Sequence, residues 1–363
     1  MTASDAFDES VVTARSQPAR RVTIKDIARE AGVSKGAVSY ALNDRPGLAD
    51  TTRERILRIA DELGWRPNSA ARSLSASRAN ACGLVLARPA RTLAVEGFFP
   101  EFLAGVESEL SARSIALTLQ LATDVAAEIA VYRRWWAEHR VDGVLLLDLR
   151  EDDPRIDALA GLGLPAVVVG GPVAKGGFPS VWHDERAAVV ELVRYLAALG
   201  HERIARVAGV VGFLHSTTRT TAFEEVAAEL GLAARVIPTD YSPESGARAT
   251  RELLSDPLPP TAIAYDSDVL AVAGCGAAQQ LGVSVPDDVS VVAWDDSLLC
   301  QVVHPPITTL TRDIAEFGAL GSRQLLAVID GAQVGDLEAP RAVLTPRAST
   351  GQAAARRRRT SAR

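Results

Sequence analysis

A chain of 363 residues is long enough for two or three domains, and an apolar fraction of 47% is ordinary for a globular protein in water. No apolar run approaches the roughly 18 residues that span a bilayer. The net charge of −6 conceals a segregation: residues 21–78 carry eleven Lys or Arg against seven Asp or Glu, residues 79–340 nineteen against thirty-five, and residues 341–363 seven arginines and no acid. A basic N-terminal module on an acidic body fits a chain of which only that module meets a polyanion. Cys82, Cys275 and Cys300 lie far apart among apolar neighbours and form no CxxC, as expected of buried reduced thiols in a cytoplasmic protein.

Residues 1–20 lack the basic-then-apolar order of a secretory signal and read as a disordered tail. Residues 21–66 read as three short helices. The first opens at Thr23, with Asp26 at capping-box spacing, and places Ile24, Ile27, Ala28 and Ala31 on one face. Gly32 supplies the left-handed residue of a tight turn. Ser34 caps the second helix, whose inward face is Ala37, Val38, Ala41 and Leu42. Thr51 with Glu54 is expected to open the third, turning Ile56, Leu57, Ile59, Ala60 and Leu63 inward. Helices this short serve to hold one of their number outward. The turn at 31–34 sets the first two at the steep angle of a helix-turn-helix and leaves Ser34, Lys35, Gly36, Ser39 and Tyr40 facing solvent.

Arg66-Pro67-Asn68 ends the third helix, because proline restricts the residue before it and cannot extend a helix. Residues 67–80 then read either as a flexible linker or as a two-turn helix running through Leu74, which alone is unstable in water. From Ala81 onward short apolar strands (CGLVLA, IALTLQLA, VDGVLLLD, PAVVVG, then RIARVAG, ARVIPTD, TAIAYDSD, SVVAWDD) alternate with helical stretches. Near-continuous apolar strands between helices imply parallel sheets covered on both faces. Two such runs, 81–182 and 183–296, predict two similar subdomains, with 297–348 completing both. Ligands of parallel folds lie beyond the carboxyl ends of strands, here in the cleft between subdomains.

No GxSxG, HExxH, GK[ST] or GxGxxG element is present, and the pairs Asp287-Asp288 and Asp295-Asp296 have no metal-ligand spacing. The chain therefore reads as a binding protein and not an enzyme, with no catalytic residue, metal or cofactor assigned. Residues 349–363, with four arginines at 356–359, have no apolar face and read as a basic disordered tail that adds non-specific phosphate affinity. Lacking the apolar heptads of a tetramer, the chain is expected to form a homodimer.

The run VTIKDIAREAGVSKGAVSYALNDRPGLADTTRERILRIADELGWRPNSAARSL resembles the headpiece of the lactose-repressor (LacI) family along its whole length. The segments GFFPEFLAGVE, RVDGVLLL, LPAVVV, LAALGHERIARVAG, RTTAF, LGVSVPDDVSVVAWDD and PPITTL resemble the effector domain of the same family and the related periplasmic sugar-binding fold. Together they cover residues 22–348. The resemblance implies an α/β protein: an all-α helix-turn-helix headpiece, then a periplasmic-binding-protein-like effector domain (81–348) of two doubly wound parallel-sheet subdomains.

It further implies that the second helix enters the major groove. Lys35, Gly36 and Tyr40 then stand at base-reading positions, Ser34 and Ser39 at phosphate-contacting ones, and Thr23 and Asn43 in the same interface. Gly36 offers no side chain, and Tyr40 stands where Arg or His is frequent, so the base preference there departs from the common pattern. Ala70 and Ala71 match small hinge residues that slip into the minor groove, and Leu74 matches the leucine wedge that opens a base step.

In the effector domain Phe98 and Phe99 match aromatic residues lining the cleft. Arg219 matches the arginine of an R-x-x-G-F element, with Ala222 replacing its glycine, and Asp295 follows the aromatic Trp294. Phe213, His215, Ser267 and Arg312 occupy positions that vary with the ligand. An Arg and an Asp facing one another can chelate vicinal hydroxyls, and aromatic faces stack on a sugar ring. The competing readings are core packing for Phe98, Phe99 and Trp294, a surface ion pair for Arg219 and Asp295, and an idle loop position for His215; His183, His201 and His304 read as structural. The function implied is a sequence-specific DNA-binding regulator, a repressor, on a palindromic operator, controlled by a small-molecule effector such as a sugar. The competitors are a transport-type sugar-binding protein and a regulator responding to a nucleoside or other metabolite.

Overall fold

A computed structural model of the chain describes residues 22–65, 78–172 and 176–353. They fall into two units, divided between Ser77 and Arg78. Residues 1–20 and 354–363 of the expected tails and the hinge residues Ala70, Ala71 and Leu74 lie outside the described residues.

The first unit holds α1 (Ile24–Ala31), α2 (Lys35–Leu42) and α3 (Asp50–Glu62). At the head of α1 the Asp26 carboxylate accepts from the Thr23 N–H at 3.0 Å and from its hydroxyl at 2.6 Å. Gly32, at φ 63°, ends the helix in the left-handed region that glycine enters without penalty, and the Val33 N–H returns to the Ala28 carbonyl at 3.0 Å. Ser34 Oγ then caps α2 by accepting from the Ala37 N–H at 3.1 Å. Ile27, Val38 and Ile56, all fully buried, form the centre of the unit with Ala28, Ala41 and Ala60.

Two expectations for this unit need correction. The cap of α3 is Ala49 and not Thr51: the Ala49 carbonyl takes the amides of Thr52 and Arg53, and Asp50 places its carboxylate at the positive end of the helix. Leu57 is 43% exposed. Ile56, Ile59, Ala60 and Leu63 share the inward face, and the next residue after Ile56 is turned away by about 100°.

The second unit runs, in chain order, β1 (Ala81–Leu86), α4 (Ala90–Val95), α5 (Phe98–Ser111), β2 (Ala116–Leu121), α6 (Val125–Ala137), β3 (Gly143–Leu146), α7 (Pro154–Leu162), β4 (Ala166–Val169) and β5 (Ser180–Trp182). It continues with α8 (Glu185–Ala198), β6 (Arg203–Ala208), α9 (Leu214–Glu229), β7 (Ala233–Pro238), α10 (Pro243–Leu254), β8 (Ala262–Tyr265), α11 (Asp268–Gln280), β9 (Ser290–Trp294) and α12 (Leu298–Val302). It closes with β10 (Thr308–Thr311), α13 (Ile314–Ile329), β11 (Leu337–Glu338) and β12 (Val343–Thr345). Two six-stranded sheets result, ordered β2-β1-β3-β4-β5-β11 and β7-β6-β8-β9-β10-β12. All pairings are parallel except β10 with β12. The same winding therefore occurs twice, as the expected fold class requires.

Alternation along each strand feeds two cores. Leu84 and Leu86 face Phe102, Val106 and Leu325, while Val85 faces Tyr132, Trp135 and Val144. In the second sheet Ile204 and Val292 pack on Phe223 and Leu192, and Ala205 and Val291 on Leu253 and Leu270. Although α13 follows a strand of the second sheet, it packs on α5 of the first. At that crossing a Cβ on Gly318 would stand 2.3 Å from the Phe102 carbonyl oxygen, so only glycine permits the approach.

Both outer limits of this unit differ from expectation. Arg78 pairs with Asp330 at 3.0 Å and the Ala79 N–H donates to Asp142 at 2.7 Å, so the end of the supposed linker belongs to the folded domain. A disordered tail is expected from residue 349, but residues 349–353 are part of the fold. Ser349 Oγ donates to the Val291 carbonyl at 2.6 Å and accepts from the Thr308 N–H at 2.8 Å, and the Ala353 N–H reaches the Leu199 carbonyl at 3.0 Å. Such anchoring uses backbone groups and leaves no trace in composition. Among the described residues no helix is long and apolar enough to cross a membrane.

Candidate functional site

The charged residues of the second unit gather where the strands end. Arg88 lies two residues beyond β1 and Asp148 two beyond β3; from the other sheet, Asp266 to Asp268 follow β8, Asp295 follows β9 and Arg312 follows β10. Parallel strands direct the loops at their carboxyl ends into one crevice. With Glu96 from the end of α4, Phe99 from the start of α5, and Glu185, His215 and Arg219 from α8 and α9, these residues line one cleft.

Each arginine lining the cleft is held by a carboxylate. Arg88 donates from Nε and Nη2 to Asp148 at 2.8 and 2.9 Å, with its guanidinium 4.6 Å from the Phe213 ring centroid and 4.9 Å from that of Tyr241. Arg219 Nε donates to Glu185 at 2.7 Å. Arg312 donates to both oxygens of Asp295, at 2.7 and 3.2 Å, and reaches Glu185 at 3.3 Å. Glu185 is thus shared between two arginines. Behind this wall Arg206 grips Asp266 in the same two-pronged way, at 2.8 and 2.5 Å.

Burial and charge pull these groups in opposite directions. Burial works against ionisation of Glu185, but Arg219 and Arg312 outweigh it and hold its carboxyl at about 2. Asp148 is likewise buried, and Arg88 brings it down to about 2. Glu96, whose nearest cation is Arg88 at 4.0 Å, goes the other way: burial pushes it up to about 8. Burial, and after it the Arg219 charge, lowers His215 to about 4, with its Nε2 3.1 Å from the Tyr241 hydroxyl. Asp148, Tyr241 and Asp295 have φ of 53°, 65° and 66°. Left-handed backbone at side-chain-bearing residues costs on the order of 1 kcal/mol or more each and collects where side chains must be aimed.

Seven of the residues singled out in the sequence meet on the cleft wall: Phe98, Phe99, His215, Arg219, Ser267, Asp295 and Arg312. Phe213 and Trp294 do not. They are buried under arginines, Phe213 beneath Arg88 and Trp294 beneath Arg219, whose guanidinium stands 3.6 Å from the ring centroid. The facing Arg219–Asp295 pair is replaced by two buried pairs, Arg219 with Glu185 and Arg312 with Asp295. His215 is not an idle loop residue, because it starts a helix against Tyr241. His183 and His201 hold backbone carbonyls of Pro340 and Gly351. The sequence reading missed Arg88, Glu96, Asp148, Glu185, Tyr241, Asp266 and Asp268. Four of these, Arg88, Asp148, Asp266 and Asp268, sit one to three residues past strand ends, a signal present in the sequence. Glu185, Glu96 and Tyr241 carry no such local mark.

On the first unit, Thr23, Ser34, Lys35, Gly36, Tyr40 and Asn43 are exposed and Ser39 is half-buried. Asn43 turns its amide back to the Ser39 carbonyl at 2.9 Å, closing α2. Arg53 of α3 fastens the following loop, donating to Asp44 at 2.8 Å and to the Arg45 carbonyl at 2.7 Å. The solvent face of α2 is thereby held rigid from both ends.

The same two parts occur together in known proteins. The lacI family of bacterial regulatory proteins matches residues 23–68, and the periplasmic binding protein-like domain matches residues 193–350. The HTH-type transcriptional regulator AglR of Rhizobium meliloti is 34% identical over 345 residues, covering 92% of this chain and 95% of its own. A complex of the transcriptional regulator CelR with cellobiose superposes with a TM-score of 0.69 at 29% identity, over 91% of this chain and all of that one. The lac repressor dimer bound to operator and the anti-inducer ONPF gives 0.81 at 25% identity, over 92% and 100%. Identity of a third along nearly the whole of both chains, with a DNA-binding unit followed by a cleft domain, leads to one conclusion: this chain belongs to the lacI family of bacterial regulatory proteins, helix-turn-helix regulators of transcription.

Proposed function

We propose that the cleft takes a sugar, and that its occupancy sets the affinity of a homodimer of this chain for a palindromic operator, most simply as a repressor in the cytoplasm. The observation that carries this reading is the convergence of paired Arg and Asp/Glu side chains from both sheets on one cleft beside Phe98 and Phe99. Carboxylates and guanidinium groups already matched in charge still offer spare acceptors and donors, which suits hydroxyls. The cellobiose held by CelR and the dimeric, operator-bound state of the lac repressor support it. A ligand that touches residues from both sheets binds one arrangement of them better than another, and so shifts the population of DNA-competent molecules. No chemical step is required. At the DNA, Lys35 and Tyr40 would read bases and Ser34 and Ser39 would hold phosphates, with Gly36 admitting close approach, Thr23 and Asn43 at the edges, and Ala71 and Leu74 in the minor groove.

The test is a titration of full-length protein on its selected operator with and without a panel of sugars. An inverted-repeat site of about two helical turns, with affinity altered by at least one sugar, is expected. Stable binding of one protomer to a single half-site would count against the dimer. An operator affinity that responds to adenosine and to no sugar would replace the sugar by a nucleoside.

A further inference from the structure

Arg88, Glu96, Arg219, Asp266, Asp268 and Asp295 line the cleft, yet each is at most 8% exposed. A ligand of sugar size meets such groups only when the two subdomains part. The chain passes between the subdomains at 182–185, 311–314 and 338–343. These crossings adjoin β5, β11, β10 and β12, which lie together at one edge of each sheet. Rotation about that edge is the hinge motion open to the domain. Any bond that joins the subdomains away from the edge has to break when they turn.

Such a junction lies where the segment after β3 meets the segment before α9. In their sheets β3 is two strands in from β5, and β6, which leads to α9, is three in from β10. The Leu214 N–H donates to the Leu149 carbonyl at 2.7 Å, and Arg150 and Phe213 pair as an antiparallel bridge. Leu214 opens α9, so its amide has no acceptor within the helix. Its side chain packs against the first sheet's core cluster, the one that holds Val85 and Tyr132. Phe213 belongs to the second sheet's core and is 2% exposed, yet two arginines of the first subdomain stand on its ring, Arg88 at 4.6 Å and Arg150 at 4.7 Å from the centroid. A guanidinium on an aromatic face is attracted without a fixed partner atom, so this grip can be released and remade.

We propose that the pairing of Leu149-Arg150 with Phe213-Leu214 is a latch across the cleft, held by Arg88 and Arg150 on the Phe213 ring, and that it opens to admit the ligand. The proposal rests on the reading that the cleft binds the effector.

Hydrogen exchange of the full-length protein, resolved to single amides, reads the latch without any ligand, because exchange at Leu214 follows the opening equilibrium. Arg150→Ala should speed it about fivefold or more through loss of one cation–aromatic contact, while the amides of Val85 and Val207, inside the two sheets, keep their wild-type rates. An unchanged Leu214 rate overturns the latch, and so does equal acceleration at all three amides, which marks general unfolding. The need to open is tested by locking the pair. The bond from Leu214 to Leu149 makes Arg150 and Phe213 the closer, non-hydrogen-bonded pair of the bridge, a spacing that suits a disulfide. Arg150→Cys combined with Phe213→Cys, oxidised and mapped by mass spectrometry, should take up cellobiose, maltose, sucrose or trehalose, whichever the wild type binds, about tenfold more slowly or worse than the same protein reduced. Equal uptake in the oxidised and reduced forms overturns the proposal, as does failure of the two thiols to join. If the wild type binds none of these sugars, the sugar reading fails, and exchange at Leu214 still decides the latch.

Discussion

The guanidinium of Arg219 stands 3.6 Å from the ring centroid of Trp294, so a charge on the cleft wall rests on the aromatic face of the second sheet's core. Such contacts contribute about 0.5–2 kcal/mol depending on burial, and here the ring also fills space beside Leu310 and Val292. Trp294→Ala should therefore cost about 3–5 kcal/mol in urea unfolding, the range for large aromatic truncations. Trp294→Phe should cost less than half of that, since it keeps a ring beneath Arg219 and removes an indole N–H that has no partner. Similar losses in both variants would mean that the indole's outer ring, and not the aromatic face, supplies the packing.

The pH dependence of stability should be bell-shaped, with two causes. Burial lowers His183 and His215 from 6.5 to about 4. Between those values the unfolded chain binds protons that the folded chain refuses, so stability falls as pH drops from 6.5 to 4. Glu96 is raised from 4.5 to about 8, so the folded chain keeps a proton the unfolded one has released. Its effect has the opposite sign: stability is lost as pH rises from 4.5 through 8. The histidines dominate below about 6.5, and Glu96 dominates from there to about 8. Melting temperature should peak near pH 6–6.5, and Glu96→Gln should flatten the alkaline side while steepening the acid side between about 4.5 and 6.5. An alkaline slope that survives in that variant would assign it to another group.

The winding of the two sheets was legible because buried parallel strands write themselves as apolar runs such as Val144 to Leu147 and Ala166 to Val169. The strands that escaped notice are short or polar: Ser180–Trp182, Leu337–Glu338, Val343–Thr345, and Thr308–Thr311, whose one apolar residue is Leu310. The site was half legible. Arg219, Asp295 and Arg312 stood out through a family pattern, but Glu185, which joins Arg219 to Arg312, did not, because it meets them only where the chain crosses from the first sheet to the second. Phe213 and Trp294 were assigned to the wall through the family pattern, and only packing reveals that an arginine covers each.

For the headpiece, the exposed Lys35 and Tyr40 on a helix held rigid by Ser34 and Arg53 predict a loss of specificity on truncation. Lys35→Ala and Tyr40→Ala should each cost roughly 1–3 kcal/mol on the operator and much less on random duplex. Arg53→Ala should weaken both by loosening the loop after α2. Equal losses from Lys35→Ala on operator and random DNA would reduce that residue to a phosphate contact.

Asp295 combines the two demands of the site, an aimed carboxylate and a strained backbone, and the two can be separated. Its φ of 66° is one that Asp and Asn visit and alanine resists, at about 1–2 kcal/mol. Its two oxygens hold Arg312, whose remaining partner is Glu185 at 3.3 Å. Asp295→Asn keeps the backbone preference and one acceptor, so it should cost about 1.5–3 kcal/mol, the range for a lost hydrogen bond to a charged group. Asp295→Ala strips a buried arginine of its main partner, a change worth about 3–5 kcal/mol when the pair is fully desolvated, and adds the backbone term. Both should weaken the sugar, the alanine variant more. If the two variants unfold at the same urea concentration, neither the backbone strain nor the residual acceptor matters. If sugar affinity is unchanged in both while stability falls, Asp295 serves only to fasten Arg312, and the ligand contact must be sought on the Glu185 side of the network.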